Sequence, residues 1–225
     1  MESYRTEEEQ VEALKRWWAE NGRSTLTTLL VVLAAVFGWQ GWQQQQERSA
    51  MEASVRYDEM IEAVRVTNTQ EDATTLRTLA AGIKADYPGS TYAQFAALHL
   101  ARIDVIAGDL ESAESELRWV LTQNPSPEIE QLAQLRLARV IASGGNPAEA
   151  LIIVTSTEAG AYAPAYAEAE GDFHLQLEDT DAAVAAYERA VSLAAATRSG
   201  ASETLQLKLQ ALTPVPAREL AVSEE

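Results

Sequence analysis

Few residues in this chain could do chemistry. The two histidines, His99 and His174, would be metal ligands or proton carriers if suitable partners stood beside them. Neither shows metal-ligand spacing, and each reads as a helix-surface or packing residue. Asp179 and Asp181 suggest calcium, but no EF-hand-type loop follows them. They read as a turn and a helix cap. Glu7, Glu8 and Glu9 are consecutive, so on a helix they point in different directions and read as a solvated helix start. There is no glycine-rich phosphate loop after a strand and no nucleophile elbow. Cysteine is absent, which excludes disulfides, thiol catalysis and cysteine-held metal. The expectation is a non-enzyme without cofactor or metal, whose chemistry is binding.

Charge narrows the partners. The chain of 225 residues carries a formal net charge of -17, from 34 acidic and 17 basic side chains. Nucleic acid needs a basic surface, so it is not the expected partner. Broad adhesion to anionic headgroups is disfavoured for the same reason. Glycine (11) and proline (7) are sparse and fall mostly between helix-periodic runs. The best strand-like run, Leu151 to Thr155, is more simply the buried part of a helix.

The elements that would position a binding surface repeat along the chain. Ala101, Ala138 and Gly171 each sit on a helical run, 37 and then 33 residues apart. Seven residues after each comes a turn: Gly108-Asp109, Gly145-Asn146 and Glu178-Asp179. Ala113, Ala150 and Ala183 follow on a second helix, and bulky Leu117, Val154 and Tyr187 come later on it. This resembles the tetratricopeptide repeat, a helix-turn-helix unit of about 34 residues whose small residues let the two helices approach. Pro125 closes the first repeat. The second lacks that proline, the third lacks the turn glycine, and the family's early tryptophan and tyrosine are missing. A degenerate helical pair, Ser54 to Val66 and Asp72 to Tyr87, precedes the repeats. A capping helix with Leu205, Leu209 and Leu212 on one face follows them.

The resemblance implies a concave groove built from the first helix of each repeat. Its positions fall here on Phe95, Leu98, Arg102 and Val105, then Leu132, Leu135, Arg139 and Ala142, then Ala165, Glu168, Asp172 and Leu175. Arg102 and Arg139 are equivalent in two repeats. Paired arginines among leucines suit an extended peptide, bonding carbonyls or carboxylates. Core leucines, with arginines that cover acidic neighbours, are the open alternative.

Before the repeats, Ser24 to Gln46 is a run of 23 residues with no formal charge. About 20 apolar residues in a helix cross a bilayer core. Trp39 and Trp42 stand at one end, where indole rings favour the interface. A cleaved export signal fits less well. The 23 residues ahead include Glu2, Glu7, Glu8, Glu9, Glu12 and Glu20, and Phe37, Trp39 and Trp42 occupy the place of a small-residue cleavage site. A soluble core helix would rarely be apolar all round. Lys15, Arg16 and Arg23 before the run, against Arg48 and Arg56 after it, place the N-terminus in the cytoplasm. Thr27, Val31, Ala34, Gly38 and Gly41 form a stripe at helical spacing. It is either ordinary anchor composition or a docking face for another membrane helix.

The stretch from Tyr4 to Gly22 reads as an amphipathic helix. Thr6 and Glu9 make a capping box, Val11, Leu14, Trp17 and Trp18 an apolar face, and Asn21-Gly22 a stop. The fold expected is all-α: a single transmembrane helix followed by a tetratricopeptide repeat-like α-solenoid. Its parts are a cytoplasmic helix (1–23), a signal-anchor (24–42), a periplasmic repeat domain (43–212) and a disordered tail (213–225).

The whole layout resembles the YfgM-like ancillary subunits of the bacterial Sec translocon. The likeness rests on "EEEQVEALKRWWAENG" before the anchor, "GWQGW" at its end and "SVRYDEMIEAV" after it, with "LRLARV" and "LQLKLQAL" further on. It covers nearly the whole chain to Leu212, while the tail departs from the family pattern. The resemblance implies a bacterial inner-membrane protein, single-pass, with a periplasmic C-terminal domain. Its implied partners are the SecYEG translocon, a membrane-anchored periplasmic isomerase-type chaperone and secretory client chains. An envelope-assembly or cell-division scaffold using similar repeats is the alternative, and a cytoplasmic-side regulator acting through the N-terminal helix is a third.

Overall fold

The computed structural model describes residues 7–66, 70–197 and 200–213. Thr6 and the tail beyond Thr213 lie outside them. All regular structure among the described residues is helical: α1 (Glu7–Val66), α2 (Gln70–Asp86), α3 (Thr91–Ala107), α4 (Leu110–Thr122), α5 (Pro127–Ser143), α6 (Pro147–Ser156), α7 (Ala163–Gln176), α8 (Thr180–Ala196) and α9 (Glu203–Leu212), with a 3-10 turn at Gly160–Tyr162. The chain divides into two units, Met1–Glu52 and Ala53–Glu225.

In the first unit, α1 contains a stretch long and apolar enough to cross a membrane, none of it buried by protein. Leu29, Leu30, Val32, Leu33, Val36 and Phe37 are all exposed. An apolar band this continuous is rare on a water-soluble surface and calls for lipid or a partner. The stop expected at Asn21-Gly22 does not occur, because α1 runs straight through it. A stop needs a left-handed residue, and Gly22 stays out of that region. Asn21 bonds within the helix instead: its Nδ2 donates to the Trp17 carbonyl at 3.2 Å, and Thr25 Oγ1 donates to the Asn21 carbonyl at 3.0 Å. Gly22 makes room for the Trp18 indole, which a Cβ there would meet at 3.2 Å. A mid-helix glycine costs about 1 kcal/mol, too little to break a helix of 60 residues.

The second unit is a stack of helical pairs. The last turns of α1 share a buried cluster with α2 and α3; the pairs α3/α4, α5/α6 and α7/α8 follow, with α9 against α8. Each helix packs mainly on its chain neighbours, the arrangement of a solenoid. The small residues sit where the repeat needs them. Ala101, Ala138, Ala113, Ala150 and Ala183 are buried, and so is Gly171. Leu117, Val154 and Tyr187 fill the gaps beside them, the first and last almost wholly buried. A fully buried side chain of this size contributes about 1.5–3 kcal/mol.

The three turns are built alike. Gly108 (φ 80), Gly145 (φ 90) and Glu178 (φ 63) are all left-handed. The next N–H reaches back five residues each time: Asp109 to Asp104 at 2.9 Å, Asn146 to Ile141 at 3.2 Å and Asp179 to His174 at 2.9 Å. Glutamate thus holds in the third repeat the conformation that glycine holds in the others. Asp109 and Asp179 then cap α4 and α8, their Oδ1 atoms accepting from the N–H of Ser112 and Ala182 at 3.1 Å. Pro127 and Pro147 open α5 and α6, where a missing N–H costs nothing. The strand-like Leu151–Thr155 run lies within α6, with Val154 buried and Ile152 facing outward. In α9, Leu205 is buried against α8 residues, with Leu209 and Leu212 packed beside it.

Candidate functional site

One concavity of the second unit lies among α3, α4 and α5. It encloses about 340 Å³, with Leu98 and Leu117 in its floor, Val105 and Ile106 at its side, and Arg102, Arg136 and Arg139 around it. A neighbouring hollow of about 380 Å³ shares Leu98, Arg102 and Arg136 and adds Tyr57, Phe95, His99 and Leu132. Helical spacing explains the convergence. Leu98, Arg102 and Val105 fall on one face of α3, and Arg136 and Arg139 stand three apart on α5.

The expected groove residues divide here. Arg102, Val105 and Arg139 reach solvent at the cavity, while Phe95 and Leu132 are half-buried beside it. Leu98 is buried but forms the floor shared by both hollows. Leu135 and Ala142 belong to the packed core between repeats, so in this structure they support the groove from behind. Their helix face turns inward because Ala138 and Ala169 draw the neighbouring helices close.

The third repeat is different. Glu168 and Asp172 do not stand free: Lys208 of α9 donates to Glu168 Oε1 at 2.8 Å and to Asp172 Oδ1 at 2.7 Å. Tyr187 also donates its hydroxyl to Asp172 Oδ1, at 2.7 Å. Burial works against the Lys208 charge, but these carboxylates outweigh it and hold its pKa above the ordinary value. The capping helix therefore occupies the acidic groove positions. Ala165 packs on the core and Leu175 is partly exposed.

Arg136, Ile106, Tyr57 and His99 contribute without having been singled out from the sequence as groove residues. The signal for Arg136 was its spacing of three from Arg139. Tyr57 comes from the last turns of α1 and meets Phe95 with ring centroids 6.0 Å apart. Its hydroxyl and His99 Nε2 are 3.2 Å apart, within hydrogen-bonding range. Burial first, then Arg102 and Arg136, lower the His99 pKa below the usual imidazole value. Burial likewise lowers that of Arg136; Tyr162 acts the other way and Arg102 and Arg139 add to the lowering. A guanidinium stays charged regardless. The second histidine, His174, stands 4.0 Å from Glu170 and 3.8 Å from Asp179, at the far end of the repeats.

In the first unit Thr27, Val31, Ala34, Gly38 and Gly41 fall on one exposed stripe of α1. A Cβ at Gly38 or Gly41 would meet nothing within 4 Å. Val11, Leu14, Trp17 and Trp18 are exposed as well.

Comparison with known proteins places this geometry. Residues 15–214 match the family of tetratricopeptide repeat-like domains. An ancillary SecYEG translocon subunit of Escherichia coli (strain K12) is 30% identical over 213 residues, covering 95% of this chain and all of the relative. A protein of the same description from Haemophilus influenzae is 29% identical over 82% of this chain and 88% of its own length. One from Neisseria gonorrhoeae is 25% identical over 94% of this chain and its full length. No solved structure gives a significant match.

Proposed function

The chain belongs to the family of ancillary SecYEG translocon subunits, the YfgM-like proteins, and on that premise we propose that it is a membrane-tethered, non-enzymatic adaptor at the translocon. In this reading residues 1–23 lie in the cytoplasm, 24–42 cross the inner membrane once, and 43–212 work in the periplasm. The lysine and arginine bias across the segment supports that orientation. The repeat domain binds secretory chains as they emerge and hands them to periplasmic chaperones, one of them a membrane-anchored isomerase-type protein. Tethering is the physical point: an anchor holds the groove beside the exit site and raises its local concentration there.

The observation that carries this reading is one chain joining two features. It has an exposed apolar stretch long enough to cross a membrane and a largely apolar, arginine-rimmed groove. The stripe Thr27, Val31, Ala34, Gly38 and Gly41 is the proposed docking face for a translocon helix, since small residues allow close helix approach.

Photo-crosslinking in living cells tests it. Probes at Ala34 and Gly38 should trap translocon subunits, and probes at Arg102 and Arg139 should trap secretory chains or the chaperone. Failure to enrich either class above a probe on the back of the solenoid, at Ile152, would refute the adaptor role. Replacing Ala34 and Gly38 together with leucine should reduce translocon co-purification several-fold; unchanged recovery would leave the segment a plain tether.

A further inference from the structure

In this acidic chain most of the described cations from Ala53 onward are neutralised in place. Arg77 pairs with Asp104, Lys84 with Glu116, Arg118 with Glu114 and Glu149, Arg189 with Glu170, and Lys208 with Glu168 and Asp172. Acidic side chains outnumber basic ones 34 to 17, so a partner is available nearly everywhere. Arg102, Arg136 and Arg139 are the exception: among the described residues none of them has a carboxylate within ion-pair distance. All three line the one cavity of about 340 Å³.

Three like charges around a partly desolvated hollow repel one another and leave their donors unused. An arriving carboxylate removes both penalties at once, and guanidinium binds it through two parallel hydrogen bonds. Apart from Ser143 the remaining lining is apolar, with Leu98 in the floor and Val105 at 43% and Ile106 at 74% exposure beside the arginines. A small inorganic anion would leave that apolar surface wet. A long polyanion would meet the repulsion of a chain with net charge -17.

We propose that this groove selects extended polypeptide segments in which acidic and apolar side chains alternate, the carboxylates meeting Arg102, Arg136 and Arg139 and the apolar groups filling the hollow over Leu98. The inference rests on the groove being the binding surface of the adaptor and names the chemistry of what it takes. An extended strand presents alternate side chains to opposite faces, so its residues reach the arginines and the floor in turn.

The test uses the full chain in detergent micelles and a short fluorescein-labelled peptide alternating leucine with glutamate, beside its glutamine counterpart. Fluorescence anisotropy should give at least tenfold tighter binding of the glutamate peptide at low salt. Arg102→Gln with Arg136→Gln should abolish that preference, so that the two peptides bind alike. Arg102→Lys with Arg136→Lys should keep a reduced preference for the glutamate peptide, because it keeps the charges while losing the planar fork. Equal binding of both peptides, or acid preference surviving the glutamine variant, overturns the proposal. A tenfold or larger gain on removing residues 214–225 would give the groove to the chain's own acidic tail and overturn an external ligand. Translocon co-purification of the same variants separates the two readings. Lost acid preference with normal co-purification defeats this inference alone; lost co-purification with intact preference defeats the adaptor reading.

Discussion

Gly171 is the tightest point in the repeat stack, and Gly171→Ala measures it. A Cβ there would lie 2.5 Å from Tyr187 Cε1 and 2.6 Å from Cδ1, where ordinary contact begins at 3.4 Å. The ring has nowhere to go. It is fully buried, and its hydroxyl is fixed to Asp172 at 2.7 Å. The Lys208 ammonium lies over its face, 5.7 Å from the centroid. Helices α7 and α8 must then move apart by roughly 1 Å, well inside the range where packing attraction falls steeply. Overpacking of this kind costs about 1–3 kcal/mol, and an anchored ring puts it in the upper half of that range. Alanine returns about 1 kcal/mol of helix propensity. The net expectation is a loss of about 1–2 kcal/mol, or a melting temperature lower by about 2–8 °C for a domain of this size. The assay is thermal unfolding followed by far-ultraviolet circular dichroism in micelles. Gly82→Ala is the control: Gly82 is exposed on α2 with nothing within 4 Å of its Cβ position. That change should stabilise by about 0.5–1 kcal/mol. With Tyr187→Leu already in place, Gly171→Ala should no longer destabilise, since the ring is gone. A rise in melting temperature for Gly171→Ala alone, matching the control, would refute the close approach.

Glu178→Gly should stabilise by about 0.5–1 kcal/mol, because a left-handed glutamate costs about 1–2 kcal/mol and glycine returns only part of that in the unfolded chain; Gly108→Ala should lose about 1 kcal/mol at the equivalent turn, and a loss in Glu178→Gly would show the turns are not equivalent. His99 should make stability depend on pH. It faces the Tyr57 hydroxyl from α1, Arg102 on its own helix and Arg136 from α5, and its pKa lies below the ordinary 6.5 in the folded chain. The unfolded chain therefore takes up the proton first. Stability is lost as pH falls through 6.5 towards the native value and levels off below it, with a slope of at most about 1.4 kcal/mol per pH unit. Melting curves between about pH 7.5 and 5.5 should flatten in His99→Gln, and an unchanged slope would exclude His99 as the source.

The repeat logic was legible because it is written in residue size. Ala101, Ala138 and Gly171, and Ala113, Ala150 and Ala183, are small where helices touch, and that signal survives without any tertiary information. The helix stop at Asn21-Gly22 misled because the same dipeptide serves two purposes. In a turn, glycine supplies a left-handed backbone; in α1 it supplies space for Trp18. Only the conformation separates the two. The groove was legible in part. Period alone cannot tell a leucine that floors a cavity, such as Leu98, from one sealed behind it, such as Leu135. Both sit on the same face of equivalent helices, and the difference is set by how closely the next repeat packs.

Charge pairing was the least legible property, and it changes what the groove means. Glu168 and Asp172 occupy groove positions by sequence, yet Lys208, some 36 to 40 residues away, closes them off. Arg102 and Arg139 occupy the matching positions two repeats and one repeat earlier and receive no such partner among the described residues. Had α9 carried an acidic residue in place of Lys208, the third repeat would present three uncompensated carboxylates to one another, with a repulsion that burial enlarges. Placing the lysine there satisfies the acidic end internally. Among the described residues no carboxylate does the same for the basic end, although acids are twice as numerous in the chain. An arrangement in which the scarce charge is left open and the abundant one is covered is what a groove needs if its ligand, rather than its own fold, is to supply the missing carboxylates.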